Sequence, residues 1–137
     1  MNARGLGLVA TLLVAAGCAS SPAITREDQL VHTRWIVERI DDVAAADPAP
    51  TLTFDSDRRV SGRAGCNQYA GALHLGAGTL RVDEAVSTRM ACDPAVMVQE
   101  RRFLVALQAV TAFRREGDRL LFLDQAGRVR LRLAPRS

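Results

Sequence analysis

The stretch Gly62 to Gly71, GRAGCNQYAG, limits the folds open to this chain more than any other. Its glycines point to backbone with positive φ and to strands that approach closely. It has no lysine, no Gly-Lys-Ser/Thr ending and no dinucleotide spacing, so it reads as a structural loop, not a phosphate cradle. It carries Cys66, and a second cysteine follows in Ser87-Thr88-Arg89-Met90-Ala91-Cys92, just ahead of the one clear helix. A link between Cys66 and Cys92 would staple the middle of a small β domain to the helix entrance.

The elements around this loop are short. Leu30 to Ile40 reads as a first strand region, with Trp35 and Val37 on one face and Ile36, Glu38 and Ile40 on the other. Trp35 reads as a core plug, and a ligand-stacking role is the alternative. Asp41 to Pro50 is a loop, Thr51 to Phe54 a strand, Asp55 to Asp57 a turn, and Arg59 to Ser61 the returning strand. Tyr69 to Leu75, Thr79 to Val82 and Ala85 to Thr88 are extended. Asp93 is placed to cap a helix, Pro94 suits its first position, and Pro94 to Val110 has helical periodicity. Its apolar stripe holds Val96, Met97, Phe103, Leu104, Leu107 and Val110. Three strands close the chain, over Thr111 to Arg115, Arg119 to Leu123 and Arg128 to Leu133. In the last, Val129, Leu131 and Leu133 face inward, while Arg128, Arg130 and Arg132 form a solvated face that discourages edge pairing. The alternative for those arginines is a surface for a partner or anionic lipid. The fold class expected is β-rich α+β: a strongly twisted antiparallel sheet, or a partly open β-barrel, packed on one helix.

The N-terminus speaks of place. Arg4 precedes an apolar run from Gly5 to Ala16, too short to span a bilayer and built like an export signal. It runs through Val14-Ala15-Ala16-Gly17 into Cys18, a looser form of the bacterial lipobox in which Cys18 carries the lipid. An ordinary signal peptide with an incidental cysteine is the alternative. The expected organisation is a signal peptide at 1–17, a lipid-anchored tether at 18–29 and one folded domain at 30–134. Ala19 after the cysteine points to the outer membrane, periplasmic face. The 137-residue chain carries 18 basic residues, every one arginine, against 15 acidic ones. They are dispersed and not interleaved with stacking aromatics, which with the export signal argues against nucleic acid.

In an oxidising compartment Cys66 and Cys92 read best as a structural disulfide. Two buried free thiols, or redox or metal chemistry, are the alternatives. No Cys-x-x-Cys is present, and the two histidines, His32 and His74, lack a ligand-like spacing. No metal or other cofactor is expected. Glu100 falls in the apolar helix stripe, where a carboxylate is costly unless paired. The expected partners are Asn67, Thr88, Arg89 and the N–H groups of the glycine loop, with Arg89 as the charge partner. A helix rotated to expose Glu100 is the alternative. No second carboxylate or nucleophile stands beside it by any pattern, so no catalytic residue is assigned.

These residues resemble the META domain family, also called HslJ-like. The matching pieces are Trp35, Leu52-Thr53-Phe54, Val60-Ser61-Gly62, Gly65-Cys66-Asn67-Gln68-Tyr69, Ser87-Thr88-Arg89-Met90-Ala91-Cys92, Glu100 with Phe103 and Leu107, and Leu120 with Leu123. The resemblance spans Leu30 to Leu133. It implies a β-rich half-barrel on a helix, similar in outline to lipid-binding pilot lipoproteins of secretion systems, with no established enzyme activity. It also implies a loose context of heat response, novobiocin tolerance and, in protozoa, virulence. The function expected is a non-enzymatic envelope lipoprotein acting through protein contacts. The rivals are a carrier or sensor of an apolar ligand in the half-barrel and, further off, a periplasmic enzyme or enzyme inhibitor. The expected partners are therefore the membrane, through the anchor, and an envelope protein or an apolar ligand.

Overall fold

A computed structural model describes residues 16–18 and 29–137. The expected export signal and tether fall outside the described residues, apart from 16–18. Cys18 is exposed and lies outside the disulfide.

Among the described residues, alternation of apolar and polar residues produces nine strands around one helix. In chain order they are β1 (Arg34–Ile40), β2 (Val43–Ala44), β3 (Thr51–Ser56), β4 (Arg59–Arg63), β5 (Gln68–Leu75), β6 (Leu80–Ser87), α1 (Pro94–Ala109), β7 (Val110–Glu116), β8 (Arg119–Asp124) and β9 (Val129–Pro135). All the pairings are antiparallel, and the path runs β6-β5-β4-β3-β1-β9-β8-β7, with β2 pairing only β1. The two ends of the path touch at a single bridge, Thr79 to Ala112, beside a hydrogen bond of 3.1 Å from Phe113 N–H to the Gly78 carbonyl. The sheet is thus a nearly closed barrel with one seam, between β6 and β7.

Side chains from the barrel and the helix meet in one cluster that fills the interior. Phe54 and Phe122 are fully buried and lie edge to face at 6.4 Å. Phe103 of α1 meets Tyr69 of β5 edge to face at 5.3 Å, so the helix contributes to the same core. Each such side chain contributes about 1.5–3 kcal/mol through burial. Trp35 is buried, donates from its indole N–H to Thr33 Oγ1 at 2.7 Å, and lies under the Arg115 guanidinium. It plugs the core.

Several local expectations change. Leu30 to Thr33 is turn, and the first strand begins at Arg34. Ile40 is buried with Trp35 and Val37, not on the opposite face, because β1 bulges between Val37 and Arg39 and a one-residue insertion reverses the faces beyond it. The Asp41–Pro50 loop contains the short strand β2. The two extended pieces around Asp83 are one strand, β6. Val129, expected inward, is 36% exposed, and the β8–β9 register shifts beside its partner Leu123. Pro94 occupies the first turn of α1, but the Asp93 side chain makes no capping bond. The buried side of the helix is Glu100, Phe103, Ala106 and Leu107, a narrower stripe than the apolar pattern suggests.

Candidate functional site

The hairpin between β4 and β5 turns through Ala64, Gly65, Cys66 and Asn67, closed by Ala64 N–H donating to the Asn67 carbonyl at 2.7 Å. Gly65 has φ +129°, a conformation L residues rarely adopt. The turn aims two successive N–H groups the same way, and such pairs form an anion-binding concavity. Glu100 fills it. Its Oε2 accepts from Cys66 N–H at 3.0 Å and Asn67 N–H at 2.8 Å, and its Oε1 accepts from Asn67 Nδ2 at 2.6 Å.

Asn67, 2% exposed, distributes these bonds further. Its Nδ2 also donates to the Met90 carbonyl at 3.2 Å, and its Oδ1 accepts from Thr88 Oγ1 at 2.9 Å and Met90 N–H at 2.6 Å. Two donors and two acceptor positions are all engaged, the full capacity of a side-chain amide. The run leading into α1 is thereby tied to the hairpin. A Cys66–Cys92 disulfide, with Cα atoms 5.9 Å apart, ties it a second time.

Asn67, Thr88 and Glu100 therefore converge with the hairpin N–H groups. Arg89 does not. It is exposed and makes no ion pair with Glu100 among the described residues. Thr88 reaches Asn67 through its hydroxyl, and Met90 through its backbone N–H and carbonyl. The Glu100 carboxyl, buried on the helix, meets amide donors and not a guanidinium.

Other fixed points have weaker sequence signals. Gly62 lies under the Thr51 carbonyl, which accepts from the Tyr69 hydroxyl at 2.7 Å; a Cβ at Gly62 would overlap that carbonyl oxygen. Burial, with a smaller contribution from Asp55, pushes the Tyr69 phenol well above its ordinary range. Gln99 accepts from Ala46 N–H and donates to the Ala46 carbonyl, both at 2.8 Å, holding the β2–β3 loop on α1. Only the neighbouring pattern Gly62 and Tyr69 hinted at any of this.

The β9 arginines are not simply a solvated face. Arg130 lies 2.6 Å from Asp41 and 3.6 Å from Asp124, and Arg132 reaches Glu38 and Glu116, each at 3.6 Å. Arg128 meets Asp124 at 2.9 Å. Burial opposes ionisation of Asp124, but the backbone N–H and guanidinium of Arg128 outweigh it and hold the carboxyl below its usual range. Glu38 and Asp41 come from β1 and its following turn, adjacent to β9 only in the folded sheet, while Asp124 ends β8 and Glu116 ends β7. On β5 and β6, His74 Nε2 lies 3.0 Å from Asp83, which also pairs with Arg81 at 2.8 Å. Among the described residues no three His, Cys, Asp or Glu side chains converge as metal ligands.

The Gly65 turn, the Glu100–Asn67 lock and the disulfide all lie within the stretch that one family model covers. The META domain model matches residues 28–137. The fold is similar to that of a protein from Burkholderia xenovorans solved by NMR, with 24% identity, TM-score 0.65, and 87% of this chain and 97% of that one covered. A DUF4847 family protein from Bacteroides vulgatus, solved by crystallography, superposes with TM-score 0.59 at 12% identity, covering 79% of this chain and 95% of that one. No curated protein matches the chain. With the family model spanning the whole barrel and helix, the chain belongs to the META domain family.

Proposed function

We propose that this META domain protein is a non-enzymatic envelope lipoprotein, held by lipid on Cys18 at the periplasmic face of the outer membrane, that acts through contacts with another envelope protein. The observation that carries the reading is the filled interior. Leu30, Phe54, Phe103, Phe122, Leu131 and Leu133 are fully buried members of one continuous cluster. The Glu100 carboxyl is engaged by three loop donors inside the protein. What is left to interact is the outer surface. An apolar ligand inside the barrel would have to displace this packed cluster, which disfavours the carrier reading. The run Val14-Ala15-Ala16-Gly17-Cys18 supports the anchor, and the resemblance motivates a stress or antibiotic-tolerance role.

The test is crosslinking with mass spectrometry on the protein anchored in its own envelope, beside a Cys18→Ser form with a cleavable signal. A discrete protein partner that is lost in the released form supports the reading. Crosslinks to lipid alone overturn it.

A further inference from the structure

The outer faces of β4, β5 and β6 form a trough. Its floor is small, because Ala70 and Ala72 stand outward on the middle strand β5. Ser61 and Val86 lie opposite Ala70 on the flanking strands, and Arg59 and Asp83 lie opposite Ala72. Two adjoining hollows of about 600 and 380 Å³ share Arg59, Ala70 and Val86, so the trough runs along β5. Val86 is 71% exposed on one wall, and Arg58, Arg59 and Arg63 line the other.

This wall gathers three arginines along one side of the trough. Arg119, Arg128, Arg130 and Arg132 are all paired with carboxylates. Arg58 and Arg63 have no ion pair among the described residues, and Arg59 has one exposed contact with Asp55 at 3.5 Å. Resting on the contact reading above, we propose that the trough docks an extended acidic segment of a protein partner. Three strands span roughly 10 Å across, the width an extended chain with its side chains occupies. Along a strand, positions four apart are about 13 Å apart, so Arg59 and Arg63 match carboxylates at i and i+4 of an extended segment. Apolar residues between those carboxylates settle on Ala70, Ala72 and Val86. A flat bilayer would meet the arginines but not the floor.

The experiment measures fluorescence anisotropy of a short labelled peptide alternating Glu and Val against the full chain, with a Gln-for-Glu peptide beside it. The acidic peptide binds, more weakly as salt rises, and the Gln peptide does not. Arg58→Glu with Arg63→Glu weakens binding on the order of tenfold or more. Ala70→Tyr, which fills the floor without changing charge, also weakens it, whereas Arg101→Glu on the exposed side of α1 does not. Equal loss with Arg101→Glu, or binding that survives Ala70→Tyr, overturns the trough assignment while leaving the contact reading to its own crosslinking test. Flotation with phosphatidylglycerol vesicles that depends on Arg58 and Arg63, without peptide binding, makes the wall a lipid surface and overturns the proposal.

Discussion

Glu100 Oε1 accepts a hydrogen bond from Asn67 Nδ2 at 2.6 Å, across 33 residues of sequence, with both side chains buried. This bond joins the helix to the β4–β5 hairpin, and the same Asn67 holds the segment that enters the helix. Replacing Glu100 by Gln keeps the shape but turns an amide toward N–H donors. The expected cost is about 1–3 kcal/mol of stability. Denaturant unfolding of Glu100→Gln, Asn67→Ala and the double variant checks it; additive losses would show that the two residues are not coupled.

Cys66 and Cys92 close a loop with a sequence separation of 26. Losing this link frees the unfolded chain by about 3.5 kcal/mol on the loop-entropy relation. A Cys66→Ser, Cys92→Ser protein should melt lower than the oxidised parent, and a reductant should lower the parent to a similar midpoint. The Asn67 bonds to Met90 still hold the segment, so the barrel should keep its far-ultraviolet circular dichroism below the melt. An unchanged midpoint would remove the disulfide from the stability account.

Gly62 leaves room for the Thr51 carbonyl between β3 and β5. In Gly62→Ala the new methyl overlaps backbone, which cannot swing aside as a flexible side chain would. The expected loss is about 1–3 kcal/mol, in the range for overpacked sites. A thermal melt measures it, and a Ser61→Ala variant on the same strand serves as the mild comparison.

Tyr69 predicts an alkaline limb. Its folded phenol titrates above the ordinary value of 10.0, chiefly because it is buried. The unfolded chain therefore loses this proton first as pH rises. Stability from this group is complete below pH 10.0 and declines above it, until the folded phenol also ionises. Tyr69→Phe should remove that part of the decline and cost about 1 kcal/mol at neutral pH for the lost bond to the Thr51 carbonyl. Denaturation midpoints of both proteins across pH 8 to 11 test the difference. Parallel curves would show that Tyr69 does not set the limb.

Much of the architecture was readable from local periodicity. Strand alternation over Leu131 and Leu133, Pro94 at the helix start and the turn around Gly117 each depend on neighbours within a few residues. The candidate cluster was readable in part. A carboxylate at Glu100 among apolar helix positions demanded partners, and Asn67 with the glycine-loop N–H groups stood nearby as candidates. Arg89 looked equally suited, because sequence distance does not say which way a side chain leaves the segment between Thr88 and Met90.

By itself the sequence determined a β-rich chain with one helix, a glycine-rich loop over Gly62 to Gly71 and a polar helix residue in need of donors. Only the tertiary structure decided that amides rather than a guanidinium meet Glu100, that Ile40 turns inward, and that β9 arginines find Glu38 and Asp41. The physical reason is the range of the interactions. Periods of two and of 3.6 are local properties of the chain, whereas a bulge reverses every face beyond it and strand order sets which distant charges become neighbours. The same reason explains the trough. Ala70 and Ala72 are unremarkable in sequence, and they become a floor only once β4 and β6 stand on either side.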